Sequence, residues 1–304
     1  MTARVARLIG HGPVGVWERA AGVCGSVLAV VPTRGVRQLE ANLSRLGPVD
    51  PGLIRRNMAA YMRSFAASFA LESLEGHRLD YGCCAVGEWE RLRADVSRGP
   101  VVVALTHSGQ WDLAAAWVAR NLAGVVTVAE DLPDPDLAEA FTTLRRRLGV
   151  DVVLARPGEH PFEALLERVR DREAILALLA DRDITGRGVE VTLGGHRLLV
   201  AAGPAAAAQR LSAPLYPVHL RSRRLGKAGR SLLKRRYGLT VDVCAPVDAP
   251  RMGVEAATQA WVAALAPKLH TYPSEWHMLQ RVFVDDLDPE RLARARERAG
   301  RAAT

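Results

Sequence analysis

From about residue 100 the chain alternates short β-branched runs with stretches of helical period, and this alternation limits the fold more than any other feature. The runs cover residues 101–105, 125–129, 150–155 and 174–180. Segments of helix length lie between them, near 112–122, 134–148 and 162–170. Strand–helix alternation of this kind marks an α/β fold with a central, largely parallel sheet flanked by helices. Further strands are expected at 189–193, 215–220 and 239–244. Helices near 254–269 and 289–301 close the chain.

Residues 1–80 have a different texture and read as helical. Positions 16–31 are rich in Ala, Val and Gly, and Met58, Tyr61, Met62, Phe65 and Phe69 recur at helical spacing. Such a face either packs into the core or dips into lipid, and Met58, Met62, Phe65 and Phe69 are candidates for lining an apolar groove. The longest uncharged stretch near the start, 20–33, is shorter than the ~20 apolar residues a bilayer span needs. No apolar run followed by a small-residue cleavage site marks a secretory signal. With 304 residues, 49% of them hydrophobic, a large core is available. The expected organisation is a helical, membrane-associating part (1–80) and an α/β core (81–304) within one compact unit.

The first strand of the α/β region runs into Thr106-His107-Ser108-Gly109-Gln110-Trp111-Asp112 and then an Ala-rich helix. Strand ends in such sheets are where ligand sites form. An acid in the first helical turn can orient the His107 ring from one nitrogen and leave the other to take a proton from a hydroxyl. Gly109 lets the backbone turn tightly, and amides at the helix start suit a developing oxyanion. The spacing alone is weak: with 8 histidines, about one His-x-x-x-x-acid match is expected by chance. His270 and Glu275 form another, read as structural because His270 ends a helix before Pro273. What raises His107–Asp112 is the strand before it and the helix after it.

Asp181-Arg182-Asp183 follows the apolar run 174–180. Charges at the mouth of a buried strand are costly unless paired or used. Strand ends of one parallel sheet share an edge, so this cluster can face His107; an Arg–Asp structural network is the plainer alternative. Glu130, after the run 125–129, and Arg145, in the next helix, can line the same cleft.

Taken in order, His107-Ser-Gly-Gln-Trp-Asp112, Asp181-Arg-Asp183 with Gly188-Val-Glu-Val191, Ala201-Ala-Gly-Pro204 and Pro273-Ser-Glu-Trp-His-Met-Leu-Gln280 resemble the actinobacterial phosphatidylinositol mannoside acyltransferases. These belong to the wider group containing the late acyltransferases of lipid A synthesis. The resemblance runs to about residue 284, and the ordered set is far more specific than any one motif. Gln110 departs from the group, where Asn is commoner. The resemblance implies an acyl-CoA donor and a phosphatidylinositol mannoside acceptor, with no permanently bound cofactor and no metal. It implies His107 as general base with Asp112 holding its imidazole, and an acidic contributor near Asp181. Glu130, Arg145, Asp181, Arg182 and Asp183 are then candidates for substrate binding. No covalent acyl-enzyme is needed. The expected location is peripheral, on the cytoplasmic face of the cell membrane.

A formal charge of +8 favours anionic partners without choosing among them. Eight Lys and Arg residues lie between Arg221 and Arg236 with no acid, and Gly226 and Gly229 suggest a flexible loop. Near an anionic leaflet such residues contribute about 1 kcal/mol each. Aromatic residues do not interleave with them, so nucleic acid is not an expected partner. Gly10-His-Gly12-Pro-Val-Gly15 fits G-x-G-x-x-G in letters, yet no buried strand precedes it. There is no G-x-S-x-G elbow of an α/β-hydrolase. Cys24, Cys83, Cys84 and Cys244 show no C-x-x-C pair or zinc spacing and suit a reducing cytosol. A non-catalytic lipid-binding protein, or transfer to a different glycolipid, is the alternative function.

Overall fold

The computed structural model describes residues 14–69, 76–130, 135–155, 161–184, 187–290, 292–293 and 296–297. Three helices come first: α1 (Val14–Leu28), α2 (Arg34–Ser44) and α3 (Pro51–Phe69). Thr33 caps α2, its side chain accepting from the Val36 amide at 3.2 Å. After α4 (Gly76–Gly82) the strand–helix alternation begins: β1 (Cys83–Gly87), α5 (Trp89–Val96), β2 (Val101–Leu105), α6 (Trp111–Asn121), β3 (Gly124–Glu130), α7 (Pro135–Arg147), β4 (Val150–Ala155), α8 (Pro161–Val169) and β5 (Ala174–Leu179). The chain continues through β6 (Val189–Leu193), β7 (His196–Val200), α9 (Gly203–Leu211), β8 (Leu215–Arg224), α10 (Lys227–Leu233), β9 (Tyr237–Val243) and α11 (Val254–Thr271).

Seven strands form one sheet in the order β1-β9-β8-β2-β5-β3-β4. Every neighbouring pair is parallel except β8 and β9. The largely parallel sheet expected from the alternation is therefore present. β6 and β7 form a separate antiparallel hairpin, and Gly194 and Gly195, at φ +59° and +83°, turn it through the two-residue loop that positive φ permits. β2 lies at the centre, buried on both faces as strands of parallel sheets are. Val102 and Ala104 point to one apolar core, with Leu39, Leu43 and Trp261; Val101 and Val103 point to the other, with Leu113 and Tyr216.

One expectation changes. The basic stretch 221–236 is ordered secondary structure: Arg221–Arg224 extend β8, and α10 carries Lys227 and Arg230. Met58 is buried in the same apolar core as Leu39 and Leu43, the packing alternative for that face; the Phe69 side chain lies outside the described residues. Most of the helix expected at 289–301 also lies outside them.

The N-terminal helices pack against the segment after α11. Asn42 of α2 donates to the carbonyls of Met278 (2.8 Å) and Gln280 (2.9 Å). Asn57 of α3 donates to those of Trp276 (2.7 Å) and Pro273 (3.1 Å). Both asparagines are fully buried, so these bonds lock residues 273–280 in place beside the carboxyl end of β2.

Candidate active site

The register of β2 on β5 builds the site. Leu105 is level with Leu179, and the Ala180 amide donates to the Leu105 carbonyl at 2.8 Å. Two residues beyond the paired leucines, the two strands deliver His107 and Asp181 side by side. Asp181 Oδ1 lies 2.6 Å from His107 Nδ1, and Asp181 Oδ2 accepts from the His107 backbone amide at 2.9 Å. The indole Nε1 of Trp276 donates to the same Oδ2 at 2.7 Å. One carboxylate thus holds both the ring and the backbone of His107.

The Asp181 side chain is 3% exposed and that of His107 is 30% exposed. Burial works to raise the Asp181 carboxyl. Attraction to His107 when its ring is protonated and the three hydrogen bonds outweigh it, so the group stays below its ordinary value. An ionised acid at Nδ1 fixes the proton there and leaves Nε2 as the basic nitrogen.

The turn around His107 is braced on every side. The His277 amide donates to the His107 carbonyl at 2.7 Å, and the Gly109 amide to the Glu275 carbonyl at 3.2 Å. Gly109 adopts φ +57°, and a Cβ there would come within 2.7 Å of the Leu220 backbone, so only glycine fits. The Gly109 amide is thus engaged, and the amides that a helix start leaves without intrahelical partners are those of the first turn of α6. Trp111, which opens α6, meets the His107 ring edge-on at 6.0 Å between centroids. Trp111 also lines, with Leu105, Ala114, Val118 and Leu220, an apolar cavity of ≈ 60 Å³.

Asp112 occupies a different position from the one its spacing suggests. Its carboxylate accepts from Arg145 Nε of α7 at 2.9 Å, with both side chains largely buried. The acid at Nδ1 is Asp181, 74 residues away in sequence. The reason is the sheet: β5 inserts between β2 and β3 and brings its own end beside His107. Asp183 is buried near Gly188, at which a Cβ would lie 2.7 Å from the Asp183 Cβ, and Arg182 is half-buried between the two acids. Glu130 ends β3, and its side chain lies outside the described residues. His270 keeps the structural position expected of it, its Nδ1 2.6 Å from the Leu46 carbonyl.

Two features escaped the sequence reading. Trp276 was visible only as a member of the Pro273–Gln280 motif, with nothing to say that its indole holds an acid. Arg235 stood among the basic residues of a supposed loop, yet it is buried and donates to Gln110 Oε1 at 2.8 Å.

A profile of the bacterial lipid A biosynthesis acyltransferases matches residues 2–284. The chain is 36% identical over 269 residues to a phosphatidylinositol mannoside acyltransferase of Mycolicibacterium smegmatis, covering 86% of this chain and 83% of that one. It is 33% identical over 272 residues to the protein of that name in Mycobacterium tuberculosis, covering 87% and 82%. Among solved structures, the 1-acyl-sn-glycerophosphate acyltransferase PlsC of Thermotoga maritima aligns with a TM-score of 0.37 at 13% identity, over 73% of this chain and 87% of that one.

Proposed function

Because the chain belongs to the bacterial lipid A biosynthesis acyltransferase family, we propose that it transfers a fatty acyl group from acyl-CoA to a mannose hydroxyl of a phosphatidylinositol mannoside, with His107 as general base. The observation that carries the mechanism is the buried Asp181 carboxylate on His107 Nδ1 at 2.6 Å. With that nitrogen protonated, Nε2 takes the proton of the mannose hydroxyl as its oxygen attacks the thioester carbonyl carbon. The oxyanion that forms is steadied by first-turn amides of α6. Its collapse breaks the C–S bond, and the imidazolium returns its proton to the departing CoA thiolate. Atoms and protons balance with no acyl-enzyme.

Asp112, with Arg145, supports the start of the helix that carries those amides. We assign acceptor contacts to Arg182 and Asp183, which follow Asp181 beyond the end of β5, and to Glu130, which ends β3. The apolar cavity beside Trp111 supports an entry for the acyl chain next to the base.

No helix among the described residues is long and apolar enough to cross a membrane. The outer face of α1 nevertheless exposes Val16, Val23 and Val27, and Val30 follows it; Val23 is 66% and Val30 70% exposed. Beside it, a cleft of ≈ 520 Å³ between α1 and α10 is lined by Arg19, Arg230, Lys234 and Arg236. An apolar face rimmed by cations suits peripheral seating on an anionic leaflet, here the cytoplasmic one.

The test is transfer from radiolabelled palmitoyl-CoA to a phosphatidylinositol mannoside in anionic vesicles, comparing wild type with His107→Ala. Transfer by the wild type that disappears in a folded mutant supports the reaction and its base together. Undiminished transfer by the mutant removes His107 from the mechanism. Vesicle binding without transfer to any glycolipid favours the non-catalytic reading.

A further inference from the structure

Three groups far apart in sequence meet out of water behind the His107 turn. Arg235, between α10 and β9, has 1% of its side chain exposed and pairs at 2.6 Å with Glu18 of α1, which is 3% exposed. Its Nε donates to Glu18 Oε1 at 2.9 Å and its Nη2 to Gln110 Oε1 at 2.8 Å. Gln110 is the residue between Gly109 and α6. It holds the N-cap position of that helix yet makes no side-chain cap bond. Its amide is engaged by Arg235 instead.

The pair is poorly explained by stability. Removing two charges from water is costly, and well-packed apolar side chains often serve as well. Glu18 Oε2, moreover, has no hydrogen-bond partner among the described residues. What the guanidinium supplies is geometry: a rigid fork that holds acceptors on two separate elements at once. The contact with α1 is also backbone-close. A Cβ on Gly15 would lie 2.0 Å from the Lys234 carbonyl oxygen, so α1 rests directly on the residue before Arg235. The inner side of α1 therefore reaches the His107 turn through one buried chain of contacts, while its outer side carries the exposed valines.

We propose that Arg235, anchored by Glu18, is a positioning residue for acyl transfer. It fixes Gln110, and with it the turn bearing His107, so that the geometry of the base depends on the seating of α1. This rests on His107 being the base.

The double substitution Glu18→Leu with Arg235→Met removes both charges together, keeps apolar bulk and leaves Gln110 without its donor. In the vesicle assay, kcat should fall about 10–100-fold, the cost of loosening a reacting group by a fraction of an ångström. KM for palmitoyl-CoA should stay within about twofold and the thermal midpoint should be preserved, since uniform binding is untouched. Gln110→Leu should lower kcat to a similar extent. Adding it to the double variant should cost nothing more, because all three changes break one chain. Arg235→Lys keeps the charge without the fork and should fall between. A folded double variant with wild-type kcat overturns the proposal, and so do losses that multiply with Gln110→Leu. Should the double variant not fold, Arg235→Lys decides: undiminished kcat overturns the proposal, and a kcat loss that Gln110→Leu does not deepen supports it. Activity in His107→Ala would instead overturn the underlying assignment of the base, which keeps the two failures apart.

Discussion

His107 and His277 are joined by one backbone hydrogen bond, the His277 amide donating to the His107 carbonyl at 2.7 Å, yet their surroundings give them opposite capacities. His107 reaches solvent on one side and has an ionised carboxylate on the other. His277 is sealed inside, its Nδ1 3.1 Å from Asn57 Oδ1 and its ring 5.6 Å from that of Tyr61. Burial pushes its pKa down to about 3, helped by the Arg63 charge and by repulsion from His107 and His219 once those are protonated. A buried imidazole without a carboxylate stays neutral and serves as packing. On the proposed mechanism, the comparison teaches that proton transfer depends on one acid and a water-facing edge, both supplied by the ends of parallel strands, and not on histidine as such.

The most severe way to break the comparison is to neutralise that acid. Asp181→Asn keeps the shape and removes the charge, so the ring loses the partner that fixes its tautomer. The expected outcome is a fall in kcat of about 10³–10⁴-fold, the scale seen when the orienting acid of a serine protease triad is made an amide. The protein should remain folded, because Trp276 Nε1 and the His107 amide still find an oxygen. Steady-state kinetics with circular dichroism check it. A loss below tenfold would make Asp181 a structural carboxylate and remove the distinction drawn between the two histidines.

How far this was legible depends on whether a feature is local. The run 101–105 and the turn that follows show the strand, the tight Gly109 and the candidate base together, since all lie within twelve residues. The run 174–180 likewise announces that Asp181 ends a strand. What the chain does not announce is that β5 lies between β2 and β3. That order is fixed by packing across the whole sheet, and it makes Asp181, not the nearer Asp112, the acid at Nδ1. The same limit hid Arg235. A basic run reads as solvated by composition, but the αL conformation of Lys234 (φ 53°) and the close approach of Gly15 turn one member inward. Trp276 was hidden for a related reason, since an indole in a short motif carries no sign of which carboxylate it meets.

A second prediction sharpens the contrast from the side of the inert histidines. His277 and His219 are both buried, and burial pushes His219 down to about 4 against the pull of Asp242. The unfolded chain binds protons at these sites below about pH 6.5, while the native protein does not until far lower. Between those values the unfolded state holds more protons, so stability falls as pH drops. From pH 6.5 to 5 each histidine should account for a loss of roughly 2 kcal/mol. Asp181 does not contribute in this window, because its lowered pKa removes stability only at more acid pH. Urea unfolding from pH 7 to 5 measures the slope, and His219→Phe, whose ring can still stack on Tyr272, should flatten it by about half. A wild-type midpoint that is flat over this range would mean that the native imidazoles are free to protonate.

The smallest expected effect falls on Asp112, and it tests which acid matters. In Asp112→Asn the bond from Arg145 can persist while the charge attraction is lost. If Asp112 only supports the first turn of α6 through Arg145, kcat should drop about tenfold, equivalent to about 1.4 kcal/mol of transition-state stabilisation. The pH dependence of kcat/KM should keep its acid limb, since the acid at His107 Nδ1 is untouched. Had the five-residue spacing carried the orienting role, Asp112→Asn would instead equal Asp181→Asn in severity and shift that limb. Measuring both variants side by side separates an acid that orients the base from one that holds the helix behind it. A loss of 10³-fold or more in Asp112→Asn would return the leading role to the local motif and leave the cross-sheet pair as its support.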